Sequence, residues 1–187
     1  MSYIPSPDKC IELLKITGCS KEVINHCIAV RDVAVKIANK ADANIKLVEV
    51  GSLLHDIGRS KTHGLSHAIA GCEIAEKLGL SRDIISIIRN HIGAGITKKE
   101  ARERGLPPQD YIPHTIEEKI VAGADNLAFG DELQTISQAE QNMHRQGIYE
   151  GAERCVILHR ELSKMCGIDL DELLAEKIKS MAPVINP

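Results

Sequence analysis

Aromatic residues are nearly missing from this chain, which has no Trp, one Phe and three Tyr among 187 residues. Proteins that hold single strands stack bases on aromatic rings along a basic groove. With a net charge of -3 the chain offers neither feature, so extended nucleic acid is not an expected partner, although a terminal nucleotide in a pocket remains compatible. No apolar run reaches the roughly 20 residues needed to span a bilayer. The start Met1-Ser2-Tyr3-Ile4-Pro5 lacks the basic-then-apolar order of a secretion signal, and the expected location is the cytoplasm, without a membrane partner. The cysteines Cys10, Cys19, Cys27, Cys72, Cys155 and Cys166 form no Cys-x-x-Cys pair, which argues against a zinc ribbon and for reduced thiols. Cys27 and Cys72 lie in apolar helical stretches and read as small core residues.

Runs of alternating strand residues are also absent, and helical periodicity takes their place from end to end. At 43% hydrophobic and 26% charged, the chain is long enough to enclose a site in one core. The expectation is a single all-α domain over 1–187, with the core motifs in 20–130 and the helices of 131–187 packed on them. Gly, Pro and capping residues place helices at about 8–17, 21–40 (after Ser20), 46–56, 67–78 (after Ser66) and 82–91 (after Ser81). Others are expected from Thr115 to about 127 and over 137–146, 149–166 and 171–181. The polar stretch 97–115 reads as a short helix and a rigid, proline-broken loop. Its Lys98, Lys99, Arg102 and Arg104 fit an exposed helix face, supported by Glu100 and Glu103, better than a lid over a pocket. The apolar positions Val156, Ile157, Leu162, Leu173, Leu174 and Ile178 fit bundle packing or a homodimer contact.

The informative feature is Leu54-His55-Asp56-Ile57-Gly58, an apolar helix ending on an adjacent imidazole and carboxylate. Upstream, His26 shares one face with Val23, Val30, Val33 and Ile37. Alone it would read as a core histidine bonded to a carbonyl. Downstream, Asp125 sits at the edge of a stripe formed by Ile116, Ile120, Ala124 and Leu127. Two imidazoles and two carboxylates facing one core are costly to desolvate without a cation between them, so His26, His55, Asp56 and Asp125 are candidate metal ligands. Neighbours on a regular helix point about 100° apart, so His55 and Asp56 reach one ion only where the helix end is distorted. Gly58 is the expected terminator. His67 falls on a stripe with Ala70, Gly71, Ile74, Ala75 and Leu78, and His91 on one with Ile84, Ile87 and Ile88. His114, His144 and His159 have polar surroundings and no partner motif, and read as solvated or locally bonded.

The order His, His-Asp, Asp, with His55-Asp56-Ile57-Gly58, resembles the HD superfamily of metal-dependent phosphohydrolases in its HDIG subset, over about Asn25 to Leu127. The resemblance implies a helical bundle in which His26, His55, Asp56 and Asp125 hold a first metal. It also implies that His67 and His91 add a second, although the gap from Asp56 to His67 is short for a two-metal member. Mixed nitrogen and oxygen ligands suit Mn, Fe, Co, Ni or Zn. Two such ions sharing Asp56 would generate a hydroxide nucleophile, so no Ser or Cys is required, and Asp125 is placed to assist proton transfer. Arg59 stands directly after Gly58 and can bind two phosphate oxygens; Lys61 and His63 are further candidate substrate contacts. The expected function is hydrolysis of a phosphate ester or anhydride of a small nucleotide-like substrate. The Gly-Tyr-Pro signature of the cyclic-dinucleotide branch is missing. The alternatives are a di-iron oxygenase, which the same six ligands serve in some relatives, and a non-catalytic binding module stabilised by its metal.

Overall fold

The computed structural model describes residues 3–181, with side chains through residue 175. Residues 1–2 and 182–187, which enter the expectations for the N-terminus and for a 1–187 domain, lie outside the described residues, as does the Ile178 side chain. The described chain is helical almost throughout: α1 Pro7–Thr17, α2 Lys21–Ala38, α3 Ile45–Leu54, a 3₁₀ turn Ile57–Ser60, α4 His67–Lys77, α5 Arg82–Asn90, α6 Lys98–Glu103, α7 Ile116–Asn126, α8 Ile136–Arg145, α9 Tyr149–Cys166 and α10 Leu170–Met181. Hydroxyl caps set several of these starts. Ser20, Ser81 and Thr115 accept the amide hydrogens of Val23, Ile84 and Glu118, satisfying donors that the first helical turn leaves unpaired. Ser66 does not act this way, because its backbone is already helical and its side chain makes no capping bond.

The all-α expectation holds; to the helices the described residues add a small antiparallel hairpin, Ala128–Phe129 paired with Glu132–Leu133. Its two-residue connection begins at Gly130, whose φ of 64° suits glycine, and a Gly-Asp pair between short runs is a hairpin signal.

α2 packs on α3 and α7, α3 also meets α5, α4 lies on α5 and the 3₁₀ turn, and α9 closes over α7 and α8. Val30, Val33 and Ile37 of α2, Leu53 and Leu54 of α3, Ile84, Ile87 and Ile88 of α5, Ile120 of α7 and Leu162 of α9 meet in one core. On α4 the buried stripe is His67, Ala68, Gly71, Cys72 and Ala75, while Ala70, Ile74 and Leu78 are only partly buried. On α9 the inward face is Cys155, Leu158, His159 and Leu162, and Ile157, expected in bundle packing or a homodimer contact, is 55% exposed and does not pack in the bundle. His159 is therefore not solvated: it is buried, with Nε2 3.4 Å from Asp171 Oδ1, and Asp171 accepts the Ile136 amide. These contacts bring α8, α9 and α10 together.

A second, smaller cluster of Ile96, Ala101, Leu106 and Tyr111 anchors the 97–115 stretch. Lys98, Lys99, Arg102 and Arg104 are exposed, whereas Glu100 is buried rather than solvated. Its carboxylate accepts from Thr97 in a capping box and from Arg154 Nη2 at 2.7 Å, and the same nitrogen donates to the Gly95 carbonyl. Burial opposes ionisation of Glu100, but the bonds from Arg154 and Thr97 outweigh it and hold the carboxyl at about 2 against an ordinary 4.5. A depressed folded value means that its stabilisation is fully present above pH 4.5 and disappears as pH falls through about 2. Glu100→Gln should cost about 1.5–3 kcal/mol near neutrality, and its deficit in melting temperature should shrink between pH 4.5 and 2; a deficit constant across that window would contradict the assignment.

Candidate metal centre

The backbone leaves helical geometry where two adjacent ligands need it to. α3 ends at Leu54, His55 stays helical at φ -53°, and Asp56 turns to φ -100°, ψ 14° before the 3₁₀ turn. The two side chains thereby approach one centre, with His55 Nε2 3.7 Å from Asp56 Oδ2. Gly58 does not end the helix by a left-handed conformation, as a terminator would. It lies in the turn where the chain touches α4, and a Cβ there would collide with the His67 carbonyl oxygen. The small residue lets the turn carrying Asp56 lie against the start of α4, which carries His67.

Four imidazoles surround Asp56, and each is locked by a backbone carbonyl: His26 Nδ1 to Gly130 O at 2.7 Å, His55 Nδ1 to Ser52 O at 2.7 Å, His67 Nδ1 to Gly64 O at 2.8 Å and His91 Nδ1 to Ile88 O at 2.8 Å. A carbonyl oxygen only accepts, so every Nδ1 must carry hydrogen and every Nε2 is left to face the centre. This is the orientation that metal-binding histidines take from their surroundings. His55 Nε2 is buried without a hydrogen-bond partner, and so is Asp56 Oδ1. His67 Nε2 and His91 Nε2 face each other at 2.9 Å.

Asp56 stands between two groups of rings. Oδ2 looks towards His26 at 3.8 Å and His55 at 3.7 Å, and Oδ1 towards His67 at 3.1 Å and His91 at 3.5 Å. Asp125 Oδ1 completes the first group, 2.9 Å from His26 Nε2 and 3.5 Å from His55 Nε2. The sets His26, His55, Asp125 and His55, Asp56, His91 each have the spacing to hold an ion. Burial disfavours a charged His26, but the bond and charge of Asp125 prevail and raise it to about 9. Burial likewise resists ionisation of Asp56 and Asp125, and the imidazoles around them hold both well below the ordinary carboxylate range. His91 is pushed down, chiefly by burial. Anionic oxygens and imidazole nitrogens gathered in one largely buried spot form a donor set that fits a divalent transition ion.

The centre opens into a cleft of about 340 Å³ lined by His26, Asp56, Arg59, His63, Ser20, Glu22, Val23 and Gly130. Arg59 Nε donates to Asp56 Oδ2 and Nη1 to the His63 carbonyl. Lys61 is exposed and does not line the cleft, nor do the basic residues of α6. Sequence reasoning missed Ser20, Glu22, Val23 and Gly130; Glu22 lies one helical turn before His26, so the spacing was there to find it.

Comparison with known proteins identifies the family. The family described as HD domain matches residues 23–130. A protein of Thermoplasma volcanium named tRNA (cytidine(56)-2'-O)-methyltransferase is 45% identical over 173 residues, 92% of this chain and 51% of the relative. The chain thus spans about half the length of such curated relatives. A ribonuclease Y of Thermosipho melanesiensis is 34% identical over 114 residues, 60% of this chain and 19% of that one. Among solved structures, the HD domain of the L. monocytogenes phosphodiesterase PgpH, in complex with cyclic-di-AMP, matches with a TM-score of 0.60 at 18% identity, over 96% of this chain and 100% of that one. No helix among the described residues is long and apolar enough to cross a membrane. If Gly58 is required for the contact with α4, Gly58→Ala should lose about 2 kcal/mol or more of stability together with metal content; an unchanged melting temperature would show that the contact relaxes freely.

Proposed function

Because the chain belongs to the HD domain family, we propose that it is a metal-dependent phosphohydrolase cleaving a phosphate ester or anhydride of a small nucleotide-like substrate. The observation that carries this reading is the set of four imidazoles, each tethered through Nδ1 so that Nε2 faces Asp56. His26, His55, Asp56 and Asp125 would hold one ion, and Asp56, His67 and His91 a second. Bound there, Mn, Fe, Co, Ni or Zn supplies Lewis acidity towards a phosphoryl oxygen and makes a coordinated water acidic enough to attack near neutral pH.

The protein's own groups supply the remainder. Arg59 partners Asp56 and lines the cleft. With a metal held at Asp56, this guanidinium would be the group that meets the substrate phosphate, whose oxygens suit its paired donors. His63, exposed on the cleft wall, contacts the same substrate. Asp125, bonded to His26 and with a side chain 20% exposed, would assist proton transfer out of the site. The burial of His55 and Asp56 excludes bulk water, which strengthens each electrostatic contact at the phosphorus. The names of the relatives, a ribonuclease and a phosphodiesterase complexed with a cyclic dinucleotide, support nucleotide phosphodiesters as the first substrates to try.

The test is a screen of nucleotides and phosphate esters with each metal, beside elemental analysis of protein purified without chelator. Asp56→Ala should lose metal and all measurable hydrolysis. Arg59→Ala should keep its metal and raise KM about 10- to 100-fold, the value of a charge-assisted phosphate contact. Full activity in the Asp56 variant would refute the mechanism, and iron-dependent oxygen uptake with no phosphate released from any ester would assign the site to oxygenase chemistry.

A further inference from the structure

The only Phe of the chain is not in the core. Phe129 is 65% exposed on the hairpin, where it walls a polar groove of about 310 Å³ with Glu132, Gln138, Gln141, Asn142 and Arg145. Two observations separate this groove from an ordinary solvated helix face. The next residue, Gly130, gives its carbonyl to His26 Nδ1 at 2.7 Å and lines the cleft, so the groove and the cleft meet at adjacent residues of the hairpin. The groove side chains are also held: Gln134 Nε2 donates to the Asn126 carbonyl, Asn142 Nδ2 to Gln134 Oε1, and Arg145 Nη1 to Asn142 Oδ1, each within 3.1 Å. That relay starts at the residue after Asp125. Gln138 uses Oε1 to cap α8, leaving its amide nitrogen for a ligand.

Resting on the hydrolytic reading above, we infer that this groove is a nucleobase subsite: Phe129 stacks on the base of a nucleotide whose phosphate lies at the metal centre, while Glu132, Gln138 and Gln141 meet the edge of that base. The chemistry of each group fits. An exposed ring offers a face to any base, and amides match edges that alternate donors and acceptors. Glu132 only accepts when ionised, which favours a base with an exocyclic amino group. The scarcity of aromatics argues against an extended strand; it leaves room for one base.

The chain has no Trp, so Phe129→Trp places a lone fluorophore at the proposed stack. With the metal-loaded variant, AMP and CMP should quench that fluorescence and ribose 5-phosphate should not. Phe129→Ala should lower the preference for AMP over ribose 5-phosphate about tenfold or more. Equal preference in wild type and Phe129→Ala, no binding of AMP, or quenching that follows protein concentration, the mark of a self-association surface, would each overturn the subsite. Hydrolysis of ribose 5-phosphate without nucleotide quenching would sink the subsite and leave the hydrolytic reading standing. Selective quenching by nucleotides with no ester hydrolysed under any metal would do the reverse.

Discussion

The tether between each histidine Nδ1 and a backbone carbonyl is the interaction on which the rest of this structure depends. An imidazole can turn either nitrogen to a partner, and without the tether its lone pair has no fixed direction. Here Gly130, Ser52, Gly64 and Ile88 supply the four acceptors, from a hairpin, a helix end, a loop and a second helix end. The fold therefore aims four nitrogens at one carboxylate. Leaving His55 Nε2 and Asp56 Oδ1 buried and unpaired costs about 1–3 kcal/mol each, a cost that the core of Val30, Leu54, Ile88 and Ile120 offsets and that a bound ion would remove.

Asp56 turns this collection into a centre with two halves. Its conformation, outside the helix that His55 still follows, sends one oxygen to each group of rings. The contact between Gly58 and α4 holds the turn against His67. Metal geometry, the exit from α3 and the glycine of the motif are thus one steric arrangement. The hairpin joins it from the other side: Gly130 orients His26, and its neighbour Phe129 carries the arrangement outward to the polar groove.

Much of this was legible in the chain. The stripe of α2, the face of α5 with His91, and the caps Ser20, Ser81 and Thr115 follow from helical spacing and from the needs of unpaired amide hydrogens, and each appears as expected. The inward aim of His67 was also legible, although the α4 stripe is rotated towards Ala68 and Cys72 because the 3₁₀ turn and α5 both press on that side. Less visible were contacts between distant segments. Glu100 read as a surface charge because its partner, Arg154, lies 54 positions later, and His159 read as solvated or locally bonded because Asp171 of α10 meets it only once the chain is folded.

The residue types and their order alone determined the helical class, the caps Ser20, Ser81 and Thr115, and the four candidate ligands His26, His55, Asp56 and Asp125, since these depend on short-range sterics and on which side chains can donate to an ion; His67 and His91 entered as ligands through the family resemblance. Tertiary structure decided the division of Asp56 between two sets of rings, the closeness required at Gly58, the presence of Arg59 but not Lys61 at the cleft, and the placement of Phe129 beside the centre. Those outcomes depend on the relative positions of segments far apart in the chain, which packing of the whole core sets and no local pattern encodes.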